Sequence, residues 1–191
     1  MGKVVYDVSM SLDGFITGAN PRVGEGLGDD GERLHAWAFD SDAPRNKAIV
    51  ADWVNTGAII AGRNTYDLSI QYWSDGGPSP ANRLATIIVS HSVPDDVPPN
   101  SVYIFASGIE QALEEAQAAA GDKPVGILGA GVARQLIQLG RVDEVVVHII
   151  PALFGEGVRL FEETNSAHIT LEPLEVIETK EALHTRNRVV N

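Results

Sequence analysis

Two kinds of hydrophobic pattern alternate along this chain. Unbroken apolar runs, such as Ala58-Ile59-Ile60-Ala61 and Ala85-Thr86-Ile87-Ile88-Val89, suit strands buried on both faces of a sheet. Residues Lys3–Met10, Ser101–Phe105 and Val125–Leu128 also read as strands, the first through β-branched Val4, Val5 and Val8. Between these runs lie segments of helical spacing. Ile109, Leu113, Ala116 and Ala120 form one stripe ended by Gly121, which predicts a helix over 109–120. Ile49, Val50 and Trp53 give a buried face to a helix over 46–55, and 132–139 reads as a helix stopped by Gly140. A further helix over 65–70 is expected, with Asn64 or Thr65 as its cap. Along Val142–Pro151, Val145, Val147 and Ile149 point one way and Val146, His148 and Ile150 the other. The last quarter alternates as two antiparallel strands, about 168–178 and 181–190. This order predicts an α/β fold with a mostly parallel sheet, an antiparallel edge and covering helices. Residues 19–44 are rich in Gly, Asp and Pro, with a weak helical stretch near 33–39. They read as a long, mobile excursion, a candidate lid or a tolerated insertion.

Composition narrows the function. At 191 residues the chain suits one domain with a sizeable core. A net charge of −12 argues against nucleic acid or an anionic membrane as the main partner, yet leaves room for an anionic cofactor held by a few local arginines. Zero cysteines exclude disulfides, thiolate metal sites and cysteine nucleophiles. No apolar signal segment or bilayer-spanning run is found, so a cytoplasmic protein is expected.

The candidate chemistry gathers where strands stop. Gly62 ends its run without a side chain, Arg63 follows with a planar donor fork suited to phosphate, and a helix begins beside them. Free N–H groups at that helix start favour an anion, although an ordinary strand-to-helix turn with a surface arginine would read the same. Ser90-His91 and Gly129-Ala130-Gly131 end two other strands in small or polar residues. Ligands of open α/β sheets bind outside such carboxyl ends. Gly129–Arg134 also mimics the first part of a dinucleotide-binding fingerprint, but lacks the third glycine. Other candidates have plain structural readings. Asp13 before Gly14 shapes a turn, His148 packs or lies at an interface, and Trp37, Trp53 and Trp73 fill space. Arg134 and Arg159 could reach phosphate or stay solvated. The histidines show no metal-ligand spacing, and no serine nucleophile motif is present.

Five motifs in order carry a resemblance: Ser11-Leu12-Asp13-Gly14-Phe15-Ile16, Gly62-Arg63-Asn64-Thr65-Tyr66, Gly129-Ala130-Gly131, Val142-Asp143-Glu144 and Pro151-Ala152-Leu153-Phe154-Gly155-Glu156-Gly157. The chain resembles the dihydrofolate-reductase-like reductases, and more closely the reductase domain of the bifunctional riboflavin-biosynthesis deaminase–reductase and its stand-alone relatives. The resemblance implies a three-layer α-β-α fold around a central mixed sheet, and an NADPH-dependent reductase acting on a small pterin- or pyrimidine-like heterocycle. It implies that Gly62, Arg63, Asn64 and Thr65 hold cofactor phosphates, that Ser90 and His91 lie beside the adenosine, and that Gly129, Ala130, Gly131, Val132 and Ala133 lie under the pyrophosphate. Ser11, Phe15, Leu153, Phe154 and Gly155 would border the substrate, with Asp13 as the candidate catalytic group and possible proton source. A homodimer is also implied.

Two departures stand out. The helical position where folate reductases keep a buried carboxylate falls near Asn46, so dihydrofolate is disfavoured as substrate. The zinc deaminase half of the riboflavin enzyme needs cysteines that this chain lacks. A nucleotide-binding sensor without turnover, and a Rossmann-type dehydrogenase using the Gly129 turn, are the competing readings.

Overall fold

The unbroken apolar runs become the parallel centre of a single sheet. In the computed structural model, which describes residues 1–161 and 168–190, the strands are β1 (Val4–Ser11), β2 (Ala58–Gly62), β3 (Ala85–Val89), β4 (Tyr103–Ala106), β5 (Val125–Leu128), β6 (Glu144–Ile150), β7 (Thr170–Glu178) and β8 (Leu183–Val190). They form one eight-stranded sheet in the order β4-β3-β2-β5-β1-β6-β8-β7. All pairs from β4 to β6 are parallel, and the two pairs beyond β6 are antiparallel. The expected mixed sheet with an antiparallel edge is therefore observed.

Five helices cover the sheet: α1 (Ala36–Phe39), α2 (Pro44–Asp52), α3 (Arg63–Trp73), α4 (Ile109–Ala120) and α5 (Ala130–Gln138). The stripe of α4 and the inner face of α5 bury Leu113, Ala116, Val132 and Leu136 against Val4, Tyr6, Ile60 and Val147. On the opposite face, α3 packs Tyr66 on Ala61 and Ile88, while α1 and α2 cover Ile150 and Ala182 through Trp37, Ile49 and Val50. Three layers result. β6 alternates as expected, with Val145 and Val147 in the α4–α5 core and Ile150 in the α1–α2 cluster.

Several boundaries move for local reasons. α3 begins at Arg63 and runs to Trp73, with Gly62 as N-cap and no side-chain cap bond, so neither Asn64 nor Thr65 caps it. α5 begins at Ala130, earlier than the apolar periodicity implied, because Gly129 turns the chain at φ +90°. The excursion over 19–44 also carries ordered, buried residues. It contains a 3-10 turn at Gly31–Leu34 followed by α1, and Leu34 and Trp37 are fully enclosed in the core. Gly28 fits against backbone: a Cβ there would lie 2.4 Å from the Ala19 carbonyl oxygen. Glycine at this position marks a close chain crossing.

Candidate active site

Parallel register brings the strand ends together. Gly62 pairs with Val89 and Ala61 with Leu128, while Ser11 pairs with Ile150. The turns at Gly62–Arg63, Ser90–His91 and Gly129–Gly131 thus lie side by side on one edge. Two helices, α3 and α5, start at that edge with glycine N-caps and no side-chain cap bond. Their first-turn N–H groups and positive dipole ends face outward together. Gly129 permits the approach: a Cβ there would stand 2.5 Å from Thr65 Oγ1. Gly131 is exposed and would meet nothing within 4 Å.

Arg63 is held rather than free. Its Nε donates to Asp67 Oδ1 at 2.7 Å, and Nη1 donates to the Ser92 carbonyl at 3.3 Å and to the hydroxyls of Ser90 and Ser92 at 3.4 Å. No bond from Nη2 to the described residues is found. Asp67 and Ser92 are partners that the motif reading passed over, although Asp67 stands at the i,i+4 spacing that pairs residues on one helix face. His91 and Asn64 are exposed. Ala133 is 1% exposed and its N–H bonds to the Gly129 carbonyl at 3.2 Å, so it supports α5 from inside the core. Val132 is likewise enclosed, its side chain in the core, so any part it plays at the edge falls to its backbone.

On the far side of β5, the β1 and β6 loops are tied by Asp13. Its carboxylate accepts from Ser11 Oγ at 2.6 Å, from Gly155 N at 2.8 Å and from Phe154 N at 3.1 Å. The Ser11 hydroxyl, with the Gly155 and Phe154 N–H groups, holds this carboxyl down at about 2. Asp13 is therefore an ionised acceptor near neutral pH. Ser11 and Phe15 are enclosed; Ser11 Oγ accepts from Phe15 N at 3.0 Å, and Arg159 lies 4.4 Å over the Phe15 ring. Leu153 and Gly155 are exposed at the edge, joined by exposed Leu12, whose N–H bonds to Ala152. Phe154 packs partly into the cluster around Trp37.

The residue expected where folate reductases keep a carboxylate is buried. Asn46 is 1% exposed and bonds to Ser41 Oγ and Glu181 Oε2. No group of three potential metal-ligating side chains is found among the described residues, and no helix there is long and apolar enough to cross a membrane.

The family model of the RibD C-terminal domain matches residues 2–185. The chain belongs to the RibD C-terminal domain family. Solved structures agree on the fold of this family member. A candidate riboflavin biosynthesis protein from Shewanella sp. PV-4 is 20% identical with a TM-score of 0.70, each chain covered in full. A diaminohydroxyphosphoribosylaminopyrimidine deaminase/5-amino-6-(5-phosphoribosylamino)uracil reductase from Thermotoga maritima is 14% identical with a TM-score of 0.66; 99% of this chain covers 57% of that longer one. A dihydrofolate reductase from Enterococcus faecalis complexed with NADP(H) is 16% identical with a TM-score of 0.57, over 100% of this chain and 98% of that one. No protein of curated function matches the sequence.

Proposed function

We propose that this RibD C-terminal domain protein is an NADPH-dependent reductase of a small pyrimidine- or pterin-like heterocycle. One observation carries the reading: two uncapped helix starts and the guanidinium of Arg63 share one edge of the sheet. That edge fits a dinucleotide tail, because Gly129 closes α3 and α5 together while exposed Gly131 leaves backbone accessible. Gly62, Arg63, Asn64 and Thr65 would hold one phosphate group, the N–H groups of Ala130, Gly131 and Val132 another, and Ser90 and His91 the adenosine side. When bound, the reduced nicotinamide supplies the hydride. Ionised Asp13 braces the Ser11–Phe15 turn against Phe154–Gly155, and Leu12, Leu153 and Gly155 offer an exposed border for the substrate. The proton that balances the hydride is drawn from solvent, since Asp13 holds none near neutral pH. A homodimer in the cytoplasm accompanies this reading.

The test is NADPH titration of the protein and of Arg63→Ala, followed by NADPH oxidation against a panel of pterins and pyrimidines. Binding with turnover supports the reading; an unchanged affinity in Arg63→Ala sinks the site assignment. A second reading, a nucleotide-binding protein without turnover, is favoured by one feature: Asn46 is hydrogen-bonded inside the core near the position where the resemblance to folate reductases would place an acid. Tight binding with no oxidation across the panel would establish it.

A further inference from the structure

Beneath α2, away from the edge where the parallel strands end, polar side chains form one buried chain of hydrogen bonds. The register sets Ser9 beside His148 and His148 beside His184. His148 is 1% exposed, His184 4%. His148 Nε2 lies 2.9 Å from Asp7 Oδ1, and Asp7 Oδ2 accepts from Trp53 Nε1 at 3.2 Å. The two Nδ1 atoms face each other at 2.8 Å. His184 Nε2 lies 3.2 Å from Asn46 Oδ1 and 3.3 Å from Thr179 Oγ1.

The directions of these bonds count the protons. Asp7 accepts, so His148 Nε2 carries a hydrogen. Asn46 turns its Nδ2 to Ser41 Oγ and Glu181 Oε2, which leaves its Oδ1 toward His184. Thr179 gives its hydroxyl hydrogen to the Ala182 carbonyl at 3.1 Å, so its Oγ1 also accepts. His184 Nε2 therefore faces acceptors and carries a hydrogen as well. Between the Nδ1 atoms there is room for one proton: none would oppose two lone pairs, and two would oppose two N–H groups. Three protons on four ring nitrogens make one imidazolium and one neutral ring.

We propose that His148 and His184 share a single excess proton, countered by Asp7, and that this proton is a clasp fastening α2, the 31–39 segment and the β7–β8 turn to the sheet. Each fastened element touches the pair. Asn46 comes from α2, Thr179 from the turn, and Trp37 from the 31–39 segment, its ring centroid 4.2 Å from that of His148 and 4.7 Å from that of His184. Trp37 also donates to Ser9 Oγ at 2.9 Å. A cation under an indole adds attraction that a neutral imidazole lacks. Loss of the proton sets two acceptors against each other at one of the contacts, in a core with little water to relieve them.

The surrounding charges fix the direction of the pH response. His35, before α1, is nearly enclosed; burial and then His148 lower its pKa, so it stays neutral. Asp7, Asp52 (α2), Glu175 (β7) and Arg186 (β8) line the adjoining cleft of about 120 Å³, and Glu181 faces Asn46. Burial, then His148, pushes His184 down to about 4, so the folded pair resists a second proton that the unfolded chain accepts. Stability therefore falls as pH drops from about 6.5 toward 4. On the alkaline side it falls again as the shared proton leaves.

Side-chain nitrogen–proton correlation spectra of the intact, unliganded protein near neutral pH test the proton count directly. The expected pattern is one doubly protonated ring, one neutral ring protonated at Nε2, and slow exchange of the bridging proton. Two neutral rings, or two cationic ones, would overturn the proposal. Amide exchange tests the clasp: above the pH where that proton disappears, α2 loses protection while α4 retains it. Equal loss in both helices would overturn it too. His184→Gln should abolish the alkaline step in a plot of melting temperature against pH, and the spectra of the unaltered protein decide the matter if this variant does not fold.

Discussion

Asp67 stands one helical turn below Arg63 and accepts its Nε at 2.7 Å, so the guanidinium reaches the candidate phosphate edge already oriented. The pair is about one-third to one-half exposed, and its own contribution to stability is small, about 0.3–0.5 kcal/mol. Its value lies in aim. A charge-assisted contact from arginine to phosphate contributes about 1.5–3 kcal/mol. Arg63→Ala should therefore raise the NADPH dissociation constant by roughly tenfold to a hundredfold, with little change in melting temperature. Asp67→Asn should give a smaller loss, read by the same titration.

The glycines of the second helix start separate packing from binding. Gly129→Ala places a methyl 2.5 Å from Thr65 Oγ1 at φ +90°, which should destabilise the protein by about 1–3 kcal/mol. Gly131→Ala meets nothing within 4 Å and lies inside α5, so it should stabilise by about 0.5–1 kcal/mol. If the pyrophosphate rests on this turn, Gly131→Ala weakens NADPH all the same. Thermal melts beside NADPH titrations check both halves.

Asp13 should give the protein an acid-sensitive bracing of the β1 and β6 loops. Its carboxyl is depressed from 3.8 to about 2, so its contribution is fully present above the unfolded value and is lost as pH falls through the folded one. The loss should begin at about pH 5 and continue through the folded value of about 2. In Asp13→Asn that part of the pH–stability curve should flatten, since the neutral amide loses no charge. Urea midpoints measured at a series of pH values give the comparison.

The outer hairpin offers a surface for self-association. Leu171, Val176 and Leu183 share the face that carries Thr185 and Val189, and each is at least 40% exposed. β7 is also the terminal strand of the sheet, the kind of edge that pairs with a second chain unless blocked. If the protein is a homodimer through this hairpin, Val176→Lys should shift its sedimentation to that of a monomer without lowering helix content. A wild type that sediments as a monomer removes the proposal.

Much of the architecture was legible because period and position agreed. The stripe Ile109–Ala120 became α4 with the expected bounds, and the run Ala85–Val89 became β3. The buried residues of the excursion were not legible, because Gly, Asp and Pro report backbone conformation. They say nothing of Leu34 and Trp37, whose burial depends on what lies across the sheet. In the candidate site, the strand-end turns were visible one by one, but their adjacency comes from parallel register. The His148–His184 contact was hidden for the same reason. Thirty-six positions separate the two rings, and neither lies in a spacing that signals a partner.

β8 lies between β6 and β7, so a segment made after both of its neighbours occupies the interior of the sheet. Until residues 183–190 leave the ribosome, the almost wholly buried β6 has one flank without a neighbour. A nascent chain halted before that point would display an open hydrogen-bonding rim. Chaperone dependence during synthesis should therefore peak before residues 183–190 emerge, and deletion of β8 should cost solubility before it alters the candidate nucleotide edge.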